Sequence, residues 1–213
     1  MPSEDIGKLV LICAGALALL RWNLWRAILF LRPQATTVEP DAPADQSKPP
    51  APLEKTEAEL SALGFAKLGT HLERSPLSKT RLGFDYAHPG ERVFATAFLS
   101  PRGEPRLYFL TPTANGGFVI TADHRRPAHE VPGRYLSGGM DETSPERIFK
   151  AHLRRVATVG EPQMTPTLEA RVEAGRAWYA GPGRREVRQQ NALGLLWTLG
   201  SLGMVGAAFL TLW

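Results

Sequence analysis

Residues 192–213, ALGLLWTLGSLGMVGAAFLTLW, contain no charged side chain. At 1.5 Å per residue, a helix over this run is roughly 33 Å long, enough to cross a hydrocarbon core of about 30 Å. Its polar side chains are Thr198, Ser201 and Thr211, whose hydroxyls can bond back to carbonyls of their own helix. The run predicts a membrane span rather than the core helix of a soluble protein.

A second apolar stretch lies near the N-terminus. Leu9 to Leu20 is unbroken, and RWNLWRAILFLRP follows with Arg21, Arg26 and Arg32. A cleaved signal peptide fits poorly, because Glu4 and Asp5 precede the run and no small-x-small site follows Leu20. The expectation is one tilted span from about Ile6 to Trp25. Trp22 and Trp25 then sit at interfacial depth, and Arg26 to Leu31 lie along the surface.

The flanking cations give the direction. Arg21, Arg26 and Arg32 follow the first run and only Lys8 precedes it, whereas Arg176, Arg184, Arg185 and Arg188 precede the second. Lys and Arg near a span mark its cytoplasmic side. Residues 33–190 are therefore expected in the cytoplasm and both termini outside, in a membrane of the bacterial inner-membrane type. The net charge of +4 is modest and concentrated beside the spans, where it would meet the lipid bilayer. The single cysteine, Cys13, leaves no intramolecular disulfide and no cysteine-based metal site.

Five segments are expected. Residues 1–32 form the N-terminal span and an interfacial piece, and 33–52, with six prolines, form a semi-rigid spacer. Residues 53–180 form a cytoplasmic α+β domain, 181–191 a basic connector, and 192–213 the C-terminal span. Within the domain, Leu53, Thr56, Leu60 and Leu63 recur at helical spacing before Gly64. The segments 66–73, 80–87, 92–100, 106–113 and 118–123 read as strands joined by tight turns. A small antiparallel meander of four or five strands is expected, with one face covered by C-terminal helices. Those helices start at Ser144-Pro145 and Thr165-Pro166, each a capping residue followed by proline. His152 falls on an apolar stripe with Ile148, Phe149, Leu153 and Val156, the place of a core histidine.

Chemistry-bearing residues are sparse. Asp123, His124 and His129 stand at a strand end and in the loop beyond, where they could serve as acid and base. His-x4-His on a loop is not a usual zinc spacing, so no metal and no cofactor is expected, and a turn-and-surface role is the plainer reading. Arg125, Arg126 and Arg134 could meet an acidic partner or phosphate, or complement lipid or the acids Asp141 and Glu142. The soluble part is not strongly basic and carries no recognition motif, which argues against nucleic acid. Gly200, Gly203, Gly206 and Ala207 make a small-residue surface on the second span, and Ala14 and Ala18 a comparable one on the first.

These features lead to a membrane-anchored, non-enzymatic accessory or interaction protein, meeting a membrane-protein partner or its own copies through the C-terminal span. The alternative is a tethered enzyme or small-ligand sensor built on the Asp123/His124/His129 loop.

Overall fold

The computed structural model describes residues 3–141 and 143–210. Glu142, and residues 211–213 of the expected C-terminal span, lie outside the described residues. Two compact units emerge. One holds helix α1, the turn Pro33–Ala35, the segment Ser75–Lys79 and helix α5; the other spans Thr37–Arg74 and Thr80–Pro182.

In the first unit, α1 (Ser3–Leu31) and α5 (Gly183–Leu210) pack against each other as an antiparallel pair. Both contain stretches long and apolar enough to cross a membrane, Val10–Leu31 and Gly183–Leu210. The first helix continues to Leu31, where the sequence suggested a surface segment from Arg26. Small or polar side chains are buried at steps of three, four or seven residues: Ala16, Asn23 and Ala27 on α1, and Asn191, Gly194, Thr198 and Ser201 on α5. Asn23, Asn191 and Ser201 each donate to the carbonyl four residues back, so these seam donors are satisfied without water. The outward faces carry large apolar residues, among them Leu11, Trp22, Leu196, Trp197 and Leu199.

The second unit corrects the expected sheet. Its strands are β1 (Thr37–Pro43), β2 (Ala66–Arg74), β3 (Arg81–His88), β4 (Val93–Leu99), β5 (Pro105–Pro112), β6 (Phe118–Ala122), β7 (His129–Val131) and β8 (Tyr135–Gly139). They form one eight-stranded mixed sheet among the described residues, in the order β1-β2-β3-β4-β5-β6-β8-β7. The meander from β2 to β6 is antiparallel throughout, but β8 runs parallel to β6, inserted between it and β7.

The three additional strands have physical reasons for escaping notice. β1 lies in the proline-rich stretch read as a spacer, and Pro40 and Pro43 are tolerated because β1 is an edge strand. β7 is three residues long, and YLSGG of β8 lacks the usual strand formers. Gly139 is needed there because a side chain would collide with the backbone carbonyl of His124.

Cover comes on both faces rather than one. On the first, Leu53 and Leu60 of α2 (Ala51–Ala62) and Ile148 and Phe149 of α3 (Pro145–Val159) pack with Phe84, Tyr86, Ala95, Ala97, Leu107 and Phe109. His152 is fully buried on this face, bonded through Nε2 to Thr111 Oγ1 (2.9 Å) and through Nδ1 to Thr121 Oγ1 (3.0 Å). The second face is covered by α4 (Leu168–Ala180), capped by Thr167 rather than Thr165 through a bond from the Ala170 amide. Double cover explains why every residue of β4 from Val93 to Phe98 is buried.

Candidate functional site

Alternation along a strand sends every second side chain to the α4 face. On β2 these are His71 and Glu73, on β3 Arg81, Gly83 and Asp85, on β4 Thr96 and Phe98, and on β5 Tyr108. The α4 helix brings Arg171 down onto them, at 1% exposure. Leu168, Arg171, Gly175 and Trp178 are spaced for one helical face, so the arginine occupies a core position of its helix.

The polar groups bond to one another. His71 Nδ1 lies 2.5 Å from Asp85 Oδ2, and its Nε2 is 3.4 Å from Glu73 Oε1. Thr96 donates its hydroxyl to Asp85 Oδ1 at 2.6 Å and accepts from Arg171 Nε (3.1 Å) and Nη2 (2.9 Å). Arg171 Nε also pairs with Asp85 Oδ1 at 3.1 Å, and Nη2 donates to the Tyr108 hydroxyl at 2.5 Å. Arg81 and the Tyr179 hydroxyl both donate to Glu73 Oε2, the latter at 3.1 Å. Arg81 also stands 4.7 Å above the Phe98 ring. Gly83 makes room, since a Cβ there would come within 2.5 Å of His71 Cε1.

Burial alone would push the His71 imidazole below its ordinary value, and Arg171 acts in the same sense. The Asp85 carboxylate, with hydrogen bonds to Asp85 and Glu73, outweighs both and raises it. Burial likewise opposes the charge on Asp85, yet His71 and Arg171 hold its carboxyl below the usual range. Glu73 is held well below that range, mainly by Arg81 against the cost of burial. Two arginines, Arg81 and Arg171, and the His71 ring thus enclose two carboxylates, and Arg171 Nη1 is buried without a hydrogen-bond partner.

The groups of this cluster are bonded to one another and shielded from water. General acid–base chemistry needs a substrate within hydrogen-bond reach of the titrating atom, and His71 is 1% exposed with both ring nitrogens on carboxylates. Thr96 spends its proton on Asp85 and its lone pairs on Arg171, which leaves it no nucleophilic freedom. An open groove of about 480 Å³ between Pro40 and the start of α4 is lined by Thr165, Thr167, Glu169, Glu173 and Arg176. It faces water and does not include the buried cluster.

Of the loop residues singled out from the sequence, two are in contact. Asp123 and His124 are joined at 3.0 Å through Oδ1 and Nδ1, and the His124 ring meets Phe98 edge-on at 6.2 Å. His129 stands on β7 opposite Ser137. No group of three His, Cys, Asp or Glu side chains among the described residues is placed to hold a metal ion. Arg126 lays its guanidinium over the Trp178 ring at 5.5 Å, while Arg125 and Arg134 are exposed. On α5, Gly200, Gly203 and Gly206 point to open space, since a Cβ at each meets nothing within 4 Å; Ala207, Ala14 and Ala18 are exposed too. The α1–α5 seam uses other residues, and Gly194 is the close-approach glycine, pressed onto the Arg26 stem.

Sequence reading did not find the buried cluster. None of His71, Glu73, Asp85, Thr96 and Arg171 is among the candidate residues to which the sequence points. The available signals were Arg171 at an inward helical position and Asp85 out of phase with Leu82, Phe84 and Tyr86. Compared with protein-family models, curated proteins and solved structures, the chain matches none.

Proposed function

We propose that this protein is a membrane-anchored accessory protein whose two apolar helices cross the bilayer and tether a cytoplasmic interaction module. The observation that carries the reading is the division of surfaces on α1 and α5. Small residues line much of the seam, three of its polar side chains bond to their own helix while the Thr198 hydroxyl has no partner, and large apolar side chains face outward where water would be costly. The cations Arg21, Arg26, Arg32, Arg184, Arg185 and Arg188 support a cytoplasmic location for residues 33–190, in a bacterial-type inner membrane. Each contributes about 1 kcal/mol near an anionic leaflet.

Assembly is the purpose the helices support best. The open glycines on α5 would let a second copy or another membrane protein approach closely, where packing drives association in lipid. The buried cluster of the sheet unit then serves to hold α4 and the sheet as one rigid body. Sizing of the detergent-solubilised full chain tests this: an oligomer or a complex with co-purifying partners is expected, reduced by Gly203→Leu. A monomer unaffected by that substitution would overturn the reading.

A further inference from the structure

Segment Ser75–Lys79 joins β2 to β3 yet clusters with the helices, and it presents Leu77 at 70% exposure. Leu77 also adopts φ +57, a left-handed backbone that a leucine rarely takes. The turn closes with the Ser78 amide donating to the Ser75 carbonyl. It is tied to the end of α1 by a 2.8 Å bond between the Ser75 and Thr36 hydroxyls, with Thr36 and the adjacent Pro33 buried.

That tie sets a depth. Between Leu31 and Thr36 the chain makes a 3-10 turn at about 2 Å per residue, so Ser75 lies within roughly 10 Å of the helix end. The polar layer beyond the hydrocarbon is about 5–8 Å thick on each side. The same end of the unit carries exposed cations from three chain segments: Arg32, Lys79, and Arg184, Arg185 and Arg188. The acid among them, Glu186, is buried.

We propose that the Ser75–Lys79 turn is a third membrane-contacting element, with Leu77 inserted at the headgroup boundary and Lys79 joining the arginines on anionic phospholipid. This rests on the helices spanning the bilayer, as proposed above. An apolar side chain exposed on a left-handed turn, in the unit whose same end carries these cations, fits an anionic bilayer surface better than water.

The test places an environment-sensitive fluorophore in the full chain, in a Cys13→Ser background, at Leu77→Cys, Arg102→Cys or Leu199→Cys. Each is reconstituted in nanodiscs of phosphatidylcholine containing a minority of phosphatidylglycerol. Position 77 is expected to emit blue-shifted light that falls several-fold with a nitroxide near the headgroup, while position 102 stays water-like. Position 199 is expected to be quenched by a nitroxide near the chain middle. A water-like signal at 77 with quenching at 199 would overturn the inference and leave the spans standing. No quenching at 199 would overturn the spanning reading itself. A blue shift at 77 without lipid quenching would assign the turn to a protein contact and also overturn the inference. In pure phosphatidylcholine the signal at 77 should weaken; an identical signal would remove the anionic-lipid role.

Discussion

His71 Nδ1 lies 2.5 Å from Asp85 Oδ2 inside the sheet unit, and this pair contributes stability that alkaline solution removes. The folded imidazole holds its proton above the ordinary value of 6.5. Its contribution is complete below that value and is lost as pH rises through the raised folded one. His152 acts oppositely: burial, with Arg155 second, brings it down to about 3, so the folded ring stays neutral while the unfolded chain takes up a proton. Stability therefore falls from pH 6.5 toward acid by about 1.4 kcal/mol per unit. Asp85 and Glu73, held below the usual range, add a further loss below about pH 4. Thermal unfolding of the full chain in detergent should peak near pH 6.5, with His152→Gln flattening only the acid limb. A midpoint climbing steadily into alkaline solution would contradict the assignment.

Arg171→Met leaves Asp85 buried without its guanidinium. Breaking one side of a buried pair costs about 3–5 kcal/mol, so a large drop in unfolding midpoint is expected. Arg171→Lys should rescue little, because a point charge cannot reach Thr96, Asp85 and Tyr108 together. Adding Asp85→Asn to Arg171→Met should recover part of the loss. Additive losses in this cycle would argue against direct coupling.

Gly83→Ala intrudes on His71 Cε1 and lies 3.0 Å from Thr96 Cγ2. Overpacking of this kind costs about 1–3 kcal/mol. In a His71→Ala background the same change should cost much less, a coupling readable by denaturant titration. Equal costs in both backgrounds would place the strain elsewhere.

The two α5 glycines should behave differently. Gly194→Leu collides with the Arg26 stem and is expected to part the helix pair, lowering the thermal stability of the detergent-solubilised chain. A Cβ at Gly203 meets nothing within 4 Å, so Gly203→Leu should leave the monomer fold intact and weaken assembly alone. Equal loss of folded helix in both would contradict the separation of seam from outer face.

Local rules recovered the mixture of helices and strands and several single elements, but not the eight-stranded mixed sheet. The alternation of Leu82, Phe84 and Tyr86, the Ser144-Pro145 helix start and the Leu53/Leu60 stripe each depend on neighbours a few residues away. What escaped depends on distant pieces. Asp85 and Thr96 resemble a solvated sheet face until Arg171, 75 positions beyond Thr96, arrives to cover them. β1 was hidden by prolines that an edge strand tolerates, and β8 by glycines needed where the His124 backbone crosses. Of the buried cluster the sequence reading held none, because its members lie on four strands and a helix that only the fold brings together.

Membrane insertion with a cytoplasmic middle is tested most directly by fusing alkaline phosphatase or a fluorescent protein after Trp213 in a bacterial host. High phosphatase activity with a dark fluorescent fusion is expected, since the chain end would lie outside. A bright fluorescent fusion with inactive phosphatase would place that end in the cytosol and contradict both the crossing and its direction.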